Sequence, residues 1–320
     1  MNLTPDTIKS ETIKPQHKRS NQKYVLFFMA LPFLILVFVF SYLPLYGWKY
    51  AFYDYRPGIP LSQSSFVGLQ WFKSLISNPT QRAEVIRVLE NTFAMSTLGI
   101  VTSFIPLLFA VFLIEVKSER FKKLVQTLTT IPNFISWVLV FSFAFTLFSV
   151  DNGIVNKILI SLGIIHKGIN FLASDSHTWL TMCLWGLWKG VGYSAIMYLA
   201  AVTGIDQEMY EAARVDGAGR FRIMWSITIP SLLPTFFVLL LLSIGNFMNN
   251  GMDQYFVFQN SFNKNHIEVL DLYVYNIGFN NGGTSFSLAT AISMLKSIVS
   301  VVLLFFANTL SKLLRGESLI

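Results

Sequence analysis

The chain has 320 residues, of which 53% are hydrophobic and 13% charged, and its formal net charge at pH 7 is +7. Soluble domains carry about 25% charged residues, so this composition excludes an ordinary soluble enzyme, a disordered chain and a coiled coil, and it indicates a protein that crosses a membrane several times. The single cysteine, Cys183, excludes a disulfide framework. No metal site is predicted, because no metal-ligand spacing relates the four histidines, His17, His166, His177 and His266.

Six stretches are apolar and long enough to cross a bilayer, which takes about 20 helical residues. They cover residues 25–46, 93–115, 124–148, 179–203, 226–247 and 287–310. The first lies where a signal peptide would lie, but its apolar part is too long, and Tyr-Leu-Pro-Leu-Tyr follows it instead of a small-residue cleavage site. The sequence therefore predicts an all-α membrane protein with six transmembrane helices, the first of which is not cleaved.

The basic residues predict the orientation of the spans, because cytoplasmic loops carry an excess of Lys and Arg. Fourteen of these residues lie on one side of the membrane, in segments 1–24, 116–123, 204–225 and 311–320. Eight lie on the other side, in loops 47–92, 149–178 and 248–286. We therefore expect both termini to be cytoplasmic, and the positive charge to reflect membrane orientation rather than nucleic-acid binding.

The polar segments set the expected domain boundaries. Residues 1–24 form a cytoplasmic tail, 25–46 the first span, and 47–92 an external loop that ends in an amphipathic lead-in helix at 83–92. The external loop is rich in aromatic residues, which suit the headgroup level of a membrane. The main transmembrane domain is expected over residues 93–310, and a second cytoplasmic tail over 311–320.

The loop between the fourth and fifth spans is predicted to form two short helices. Asp206 is a typical helix N-cap and is followed by good helix formers through Arg214. Asp216-Gly217 is a turn signal, because glycine accepts a positive φ, and Pro230 marks where the chain re-enters the membrane. The alternative is a surface turn that only ties two spans together.

The first of these helices carries Glu-Ala-Ala at residues 211–213, and together with Gly217 the alanines form a small-residue face that another backbone can approach closely. This Glu-Ala-Ala, followed at fixed spacing by Gly217 and Pro230, resembles the EAA loop of ABC importer permeases. The family usually has Leu where this chain has Ile229. The resemblance implies that the 204–230 loop is a coupling helix that docks in a groove of an ATPase subunit through Glu211, Ala212, Ala213, Asp216 and Gly217.

Further segments extend the resemblance over most of the chain, to carbohydrate-uptake permeases of the polysaccharide (LplB-like) type. They are residues 42–47, 121–138, 188–201 and 271–275. The resemblance implies a type I ABC importer permease (MetI-like) bundle in a bacterial cell membrane, which imports an oligosaccharide or polysaccharide fragment by alternating access. It also implies partners: a second permease in a heterodimer, two ATPase subunits that bind ATP and Mg, and an extracellular solute-binding protein. Since the chain has no G-x-x-x-x-G-K-S/T phosphate loop, it is expected neither to be an enzyme nor to bind a cofactor itself.

Polar side chains inside the spans are the candidates for the transport pathway, because such residues are costly in lipid and usually face a cavity or a partner. Aromatic faces and amides also suit sugar rings. The candidates are Trp185, Trp188, Lys189, Tyr193, Asn246 and Asn249. Other interpretations stay open: the tryptophans can pack or face lipid, Lys189 can pair with a carboxylate of the partner permease, and the asparagines can cap the fifth span. Lys296, in the sixth span, can likewise line the pathway or be structural.

Two other functions compete with this interpretation. A secondary transporter driven by an ion gradient needs intramembrane carboxylates or a proton relay, and no Asp or Glu lies in the middle of a predicted span. An integral-membrane enzyme needs a catalytic group of His, Asp or Glu near the interface, and the scattered histidines provide none. The sequence favours the ATP-driven permease, with the secondary transporter as the alternative.

Overall fold

The computed structural model describes residues 19–173, 175–280 and 285–315, and most of these residues are helical. In the described ranges, the pairing of β type is an isolated antiparallel bridge between Tyr53 and Phe66. The all-α class predicted from the sequence is therefore confirmed. Of the predicted tails, residues 1–18 and 316–320 lie outside the described residues, and the last helix continues into the second tail as far as Arg315.

The α-helices are numbered in chain order. They are α1 (Arg19–Val37), α2 (Gln70–Ser77), α3 (Pro79–Thr102), α4 (Ile105–Ile114), α5 (Glu119–Thr130), α6 (Trp137–Phe148), α7 (Ile154–Ser161), α8 (Thr178–Val202), α9 (Gln207–Val215), α10 (Arg220–Ile223), α11 (Ile229–Gly245), α12 (Asp253–Phe258), α13 (Lys264–Ile267), α14 (Leu270–Tyr275) and α15 (Phe286–Arg315). Shorter 3-10 and π-helical segments extend several of them.

The chain divides into two compact units at Lys49 and Tyr50. The first unit contains α1, which continues as a π-helix over Phe38–Tyr42 and then as a 3-10 helix that starts at Leu43. Between Tyr24 and Tyr46 nearly all of its large apolar side chains are exposed. A continuous apolar helix with no polar face suits lipid as its surroundings, and it coincides with the predicted first span.

Four helical segments of the described residues are long and apolar enough to cross a membrane: Tyr24–Phe52, Pro79–Ile114, Arg220–Gly245 and Phe286–Thr309. A bent pair, Glu119–Phe134 with Trp137–Phe148, makes a fifth when it is counted as one span. The predicted fourth span forms α8, whose 25 residues reach about 37 Å at 1.5 Å per residue. Its Trp, Gly and Tyr residues and Lys189 give it a lower mean hydropathy than the segments named above.

The predicted third span, 124–148, is not one straight helix, since the helix axis bends by 108° between its two halves. α5 ends in a 3-10 turn, Ile131–Phe134, where Pro132 cannot donate a backbone hydrogen bond. A new helix then starts after Ser136, whose hydroxyl accepts a hydrogen bond from the Leu139 N–H. The local sequence thus contains both a stop signal and a start signal within an apolar run.

The predicted second span also differs from the structure at its start. α3 begins at Pro79, so the lead-in segment 83–92 is its N-terminal half rather than a separate helix. Asn78 caps this helix by accepting hydrogen bonds from the Thr80 and Gln81 N–H groups. Beyond Thr102 the chain passes through Ser103 into α4, which carries Pro106 in its first turn.

Buried apolar side chains form three clusters in the second unit, and α8 contributes to two of them. One cluster joins α4, α8 and α11 and includes Leu107, Ala195 and Leu232. A second joins α6, α8 and α12 and includes Val140, Met182 and Phe258. The third joins α3, α14 and α15 and includes Val88, Leu270 and Ile292. α8 is therefore engaged along its whole length, which fixes the positions of the side chains that follow.

Candidate functional site

The 204–230 loop folds into the two short helices that the sequence predicts. α9 starts after Asp206, whose carboxylate accepts a hydrogen bond from the Glu208 N–H at 2.9 Å. Gly217 follows α9 with a φ of +76°, in the left-handed region that favours glycine. α10 then runs through a π-helix, Met224–Thr228, directly into α11.

α9 is exposed, and none of its residues is buried. The Tyr210 hydroxyl forms a hydrogen bond of 3.1 Å with the hydroxyl of Thr228, which joins α9 to the π-helix. Val215 is 88% exposed and Phe221, in α10, is 71% exposed. Large apolar side chains beside a small-residue face are typical of a surface that another protein covers.

The five predicted coupling residues lie together at this surface. All of them are exposed except Ala213, which is half-buried. Glu211 and Asp216 are exposed carboxylates before and after the alanines in the sequence, and the exposed Arg214 adds a cation between them. This placement agrees with the docking role expected for Glu211, Ala212, Ala213, Asp216 and Gly217, which stays a prediction.

A cavity of about 650 Å³ lies between α3, α8, α11 and the segment that follows α11. Its polar lining includes Ser96, Ser194, Asn246, Asn249, Asn250 and Gln254. Its aromatic lining includes Tyr193, Phe236 and Phe247. Hydroxyls, amides and ring faces therefore meet in one cavity, which is the mixture that sugar recognition requires.

Small residues on two helices make room for this cavity. On α8 these are Gly186, Gly190 and Ser194, spaced four apart, so they share one face of the helix. On α3, Ser96 and Gly99 are three apart and likewise share a face. Sequence analysis missed these residues, although their helical spacing is a signal that could have indicated a cavity wall.

Hydrogen bonds fix the polar end of the cavity. The side-chain amide of Asn250 donates to the Ser96 hydroxyl at 2.9 Å, and Ser96 donates to the carbonyl oxygen of Phe247. The amide of Gln254 donates to the backbone carbonyl of Met182 at 2.7 Å. The segment after α11 is thereby attached to α3 and to α8, so these two amides are held in place rather than free to rotate into solvent.

Three of the six predicted pathway residues, Tyr193, Asn246 and Asn249, line this cavity. The other three lie on the face of α8 that packs towards α6. Trp188 stacks on Phe143 with ring centroids 6.1 Å apart. Trp185 packs against the cluster that includes Phe258 of α12. The third residue is Lys189, whose ammonium contacts the turn before α6. Of the four candidates on α8, Tyr193 thus borders the cavity and touches Phe134 of the turn before α6, whereas the other three do not line the cavity.

Lys189 is 9% exposed, and its ammonium donates a hydrogen bond to the backbone carbonyl of Asn133 at 2.7 Å. It also lies 5.3 Å from the ring centroid of Trp137, close enough for a cation–π attraction. Asn133 belongs to the 3-10 turn just before the 108° bend. The buried ammonium is therefore placed to hold the bend between α5 and α6.

We expect Lys189→Met to destabilise the protein by about 1–3 kcal/mol, because the carbonyl of the half-buried Asn133 loses its donor. Thermal unfolding of the purified protein measures this loss. The KM for transport should stay at its wild-type value, since the side chain is not in the cavity. A raised KM with unchanged stability would instead assign Lys189 to the pathway.

Lys296, the other lysine within a predicted span, forms an ion pair with Asp271. The same carboxylate accepts a hydrogen bond from the Gly251 N–H at 3.0 Å. The pair ties α15 to α14 and to the turn after α11. Its position is that of a structural contact.

A second polar region joins the N-terminal half of α3 to the short helices after α12. Arg87 pairs with Glu268 at 2.8 Å, and Glu268 is 4% exposed. The Tyr273 hydroxyl donates to Glu84 at 3.1 Å. Burial raises the pKa of the Tyr273 phenol, and the neighbouring Glu84 carboxylate raises it further. Among the described residues, no three His, Cys, Asp or Glu side chains come together as metal ligands.

Comparison with known proteins extends these observations. Residues 103–316 match the family model of the binding-protein-dependent transport system inner membrane component. The chain is 38% identical to Protein LplB of Bacillus subtilis (strain 168), over 92% of this chain and 90% of that protein. It is 39% identical to the polygalacturonan/rhamnogalacturonan transport system permease protein YteP of the same organism, over 92% and 89%.

Among solved structures, the chain matches a chain of the bacterial alginate ABC transporter in complex with alginate pentasaccharide-bound periplasmic protein. The TM-score is 0.81, the sequence identity is 29%, and the match covers 93% of this chain and 98% of that chain. The two chains therefore share their helical arrangement over nearly their whole length.

Proposed function

Because the chain belongs to the family of binding-protein-dependent transport system inner membrane components, we propose that it is a permease subunit of an ATP-driven importer for an oligosaccharide. The observation that carries the proposal is the presence, in one chain, of an exposed loop with the Glu-Ala-Ala helix and a polar cavity, joined by α11. A second permease, two ATPase subunits and an extracellular solute-binding protein complete the assembly. ATP and Mg are bound by the ATPase subunits.

The docking surface for the ATPase is α9 with its flanking turn. Ala212 and Ala213 let the ATPase surface approach the α9 backbone, while Glu211 and Asp216 pair with basic groups around its groove. Val215 becomes covered in the assembly, which would account for an apolar side chain that is 88% exposed in the isolated chain.

The movement of this loop reaches the cavity through a single helical segment. Arg220–Gly245 forms 26 continuous helical residues, and Asn246 at its end lines the cavity. When ATP closes the ATPase subunits, the coupling loops of the two permeases come together, and α11 is displaced at its far end. The cavity then opens outward to accept substrate from the binding protein, and hydrolysis restores the inward-facing state.

The orientation that we propose rests on the distribution of Lys and Arg, which favours a cytoplasmic position for the 204–230 loop and both termini. The cavity end that holds Asn249, Asn250 and Gln254 then lies towards the exterior. Substrate contacts are assigned to Tyr193, Asn246 and Asn249, whose ring face and amides suit sugar rings and hydroxyls. The relative YteP is named for the transport of polygalacturonan/rhamnogalacturonan, and the solved structure above is that of an alginate transporter. Both names support an oligosaccharide as the cargo.

The test is uptake by the complete assembly in proteoliposomes. We expect oligosaccharide uptake to require ATP on the ATPase side and binding protein on the other side, and to stop with an ATPase subunit that cannot hydrolyse ATP. Uptake by this chain driven by a pH or Na⁺ gradient, with no ATPase present, would contradict the proposal and favour a secondary transporter.

A further inference from the structure

We infer that Tyr210 is a positioning residue of the transport cycle, because its hydrogen bond to Thr228 makes α9 and α11 move as one body. This role rests on the proposed function and adds to it. The residues of the docking surface account for the attachment of an ATPase subunit to α9. The bond from Tyr210 accounts for the next step, in which a movement of α9 passes into the membrane-spanning helix.

The hydrogen bond starts from the inner face of α9. The hydroxyl oxygens of Tyr210 and Thr228 lie 3.1 Å apart, although the two residues are 18 positions apart in the chain. Tyr210 and Ala213 are half-buried, whereas the other residues of α9 are exposed. Residues three apart share one face of a helix. α9 therefore directs the face that carries Tyr210 towards the π-helix and leaves its remaining surface open to a partner.

The other end of the bond lies inside the packed membrane domain. Thr228 is 3% exposed and is the last residue of the π-helix that leads into α11. Met224, one turn earlier, is 4% exposed and belongs to the apolar cluster of α4, α8 and α11. Ile229, directly after Thr228, packs against the same cluster. The Tyr210 hydroxyl is thus bound to a buried part of the Arg220–Gly245 helix.

Little else attaches α9 to the membrane domain. Within the described ranges, none of the three apolar clusters includes a residue of α9, and the bond to Thr228 is the side-chain hydrogen bond that joins α9 to another helix. Glycines flank α9 on both sides, Gly204 before it and Gly217 after it, and Gly217 has a φ of +76°. Since glycine is the most flexible residue, α9 would pivot about these turns without the bond.

A displacement of α9 can reach α11 in two ways. The first is the backbone of residues 216–219, where the glycine-containing turn absorbs part of the movement. The second is the side-chain bond, which connects the middle of α9 directly to the start of α11. Opening this bond would leave the buried Thr228 hydroxyl without a partner, which is unfavourable. α9 therefore stays aligned with α11 while the coupling loops of the two permeases come together.

The test removes each hydroxyl separately, with Tyr210→Phe and Thr228→Val, which keep the ring and the branched shape. Uptake and ATP hydrolysis are measured together on the complete assembly in proteoliposomes, with short oligogalacturonates as the probe. We expect the sugar taken up per ATP hydrolysed to fall by about two- to tenfold in either variant, the range that one net hydrogen bond supplies. The ATPase subunits should copurify at wild-type levels, because the exposed surface of α9 is unchanged.

The double variant separates a positioning role from a purely structural one. Loss of the second hydroxyl should not lower the ratio of sugar to ATP further, since the bond is already absent. Thermal stability should return towards the wild-type value, because apolar groups at both positions leave no buried hydroxyl unpaired. A ratio that recovers together with stability would overturn the inference, and so would losses in the two single variants that multiply in the double variant.

Thr203→Val is the matched control. The Thr203 hydroxyl donates to the Ala200 carbonyl at 2.7 Å, within the end of α8, so its loss leaves the contact between α9 and α11 intact. The ratio of sugar to ATP should stay at its wild-type value. A wild-type ratio in Tyr210→Phe, or an equal loss in Thr203→Val, would refute the positioning role. Uptake by the wild-type assembly tests the proposed function, whereas the ratios of the variants to wild type test Tyr210, so the two can fail separately.

Discussion

The Glu211→Lys variant should lose ATP-driven uptake by at least about tenfold, although the permease itself stays folded in the membrane. Glu211 is exposed on α9, and exposed substitutions of this kind change the free energy of unfolding by less than about 0.5 kcal/mol. Reversing a charge at a docking surface costs far more in binding, because like charges then face each other. The ATPase subunits should consequently fail to copurify with the variant permease.

The matched control is Glu119→Lys, which makes the same charge change on the exposed surface of α5. Glu119 lies 4.0 Å from the ammonium of Lys122, a surface pair of little energetic weight. Its replacement should leave copurification and uptake near their wild-type levels. Wild-type uptake by Glu211→Lys, measured beside this control, would remove the coupling role from α9.

The Gly192→Ala variant should lose most of its folded protein, because α8 and the end of α5 touch through their backbones at this position. A Cβ on Gly192 would overlap the carbonyl carbon and oxygen of Thr129, and it would lie 2.7 Å from the nitrogen of Thr130. These are backbone atoms, so only a shift of the whole helix can relieve the overlap. Overpacking of this kind costs about 1–3 kcal/mol or more.

Gly190→Ala is the control for this substitution, since Gly190 lies two positions before Gly192 in the same helix. A Cβ at Gly190 would have nothing within 4 Å. This variant should therefore keep or slightly raise thermal stability, because alanine is the better helix former. Size-exclusion profiles and melting temperatures of the two variants should differ clearly, and equal values would contradict the close helix contact.

The apolar runs and the Glu-Ala-Ala loop were predictable because each is a local property of the chain. Hydropathy locates a helix that crosses lipid, and the N-cap at Asp206 and the turn at Gly217 depend on a few adjacent residues. The 108° bend was harder to predict, because Pro132 and Ser136 lie within a continuous apolar run. The contact that holds the bend joins Lys189 to the carbonyl of a residue 56 positions away, and no local pattern encodes such a pairing.

The pathway residues show a different limit. Trp185, Lys189 and Tyr193 follow one another at four-residue spacing, and their chemistry alone suggests a shared role. The structure nevertheless places Tyr193 on the cavity wall and the other two towards α6. The residues that open the cavity are small ones such as Gly186 and Gly190, whose contribution is the absence of a side chain, so composition gives them little weight.

The π-helix at Met224–Thr228 sets an angular relation between the two ends of Arg220–Gly245. A π-helical turn holds about one residue more than an α-helical turn, and one residue corresponds to about 100° of rotation around the axis. This short segment therefore determines an angle around the axis of the Arg220–Gly245 helix. It is the angle between the side on which the chain connects to α9 and the side on which Asn246 borders the cavity. The number of residues in the π-helix, more than the chemistry of their side chains, determines the direction in which a movement of the 204–230 loop displaces the cavity wall.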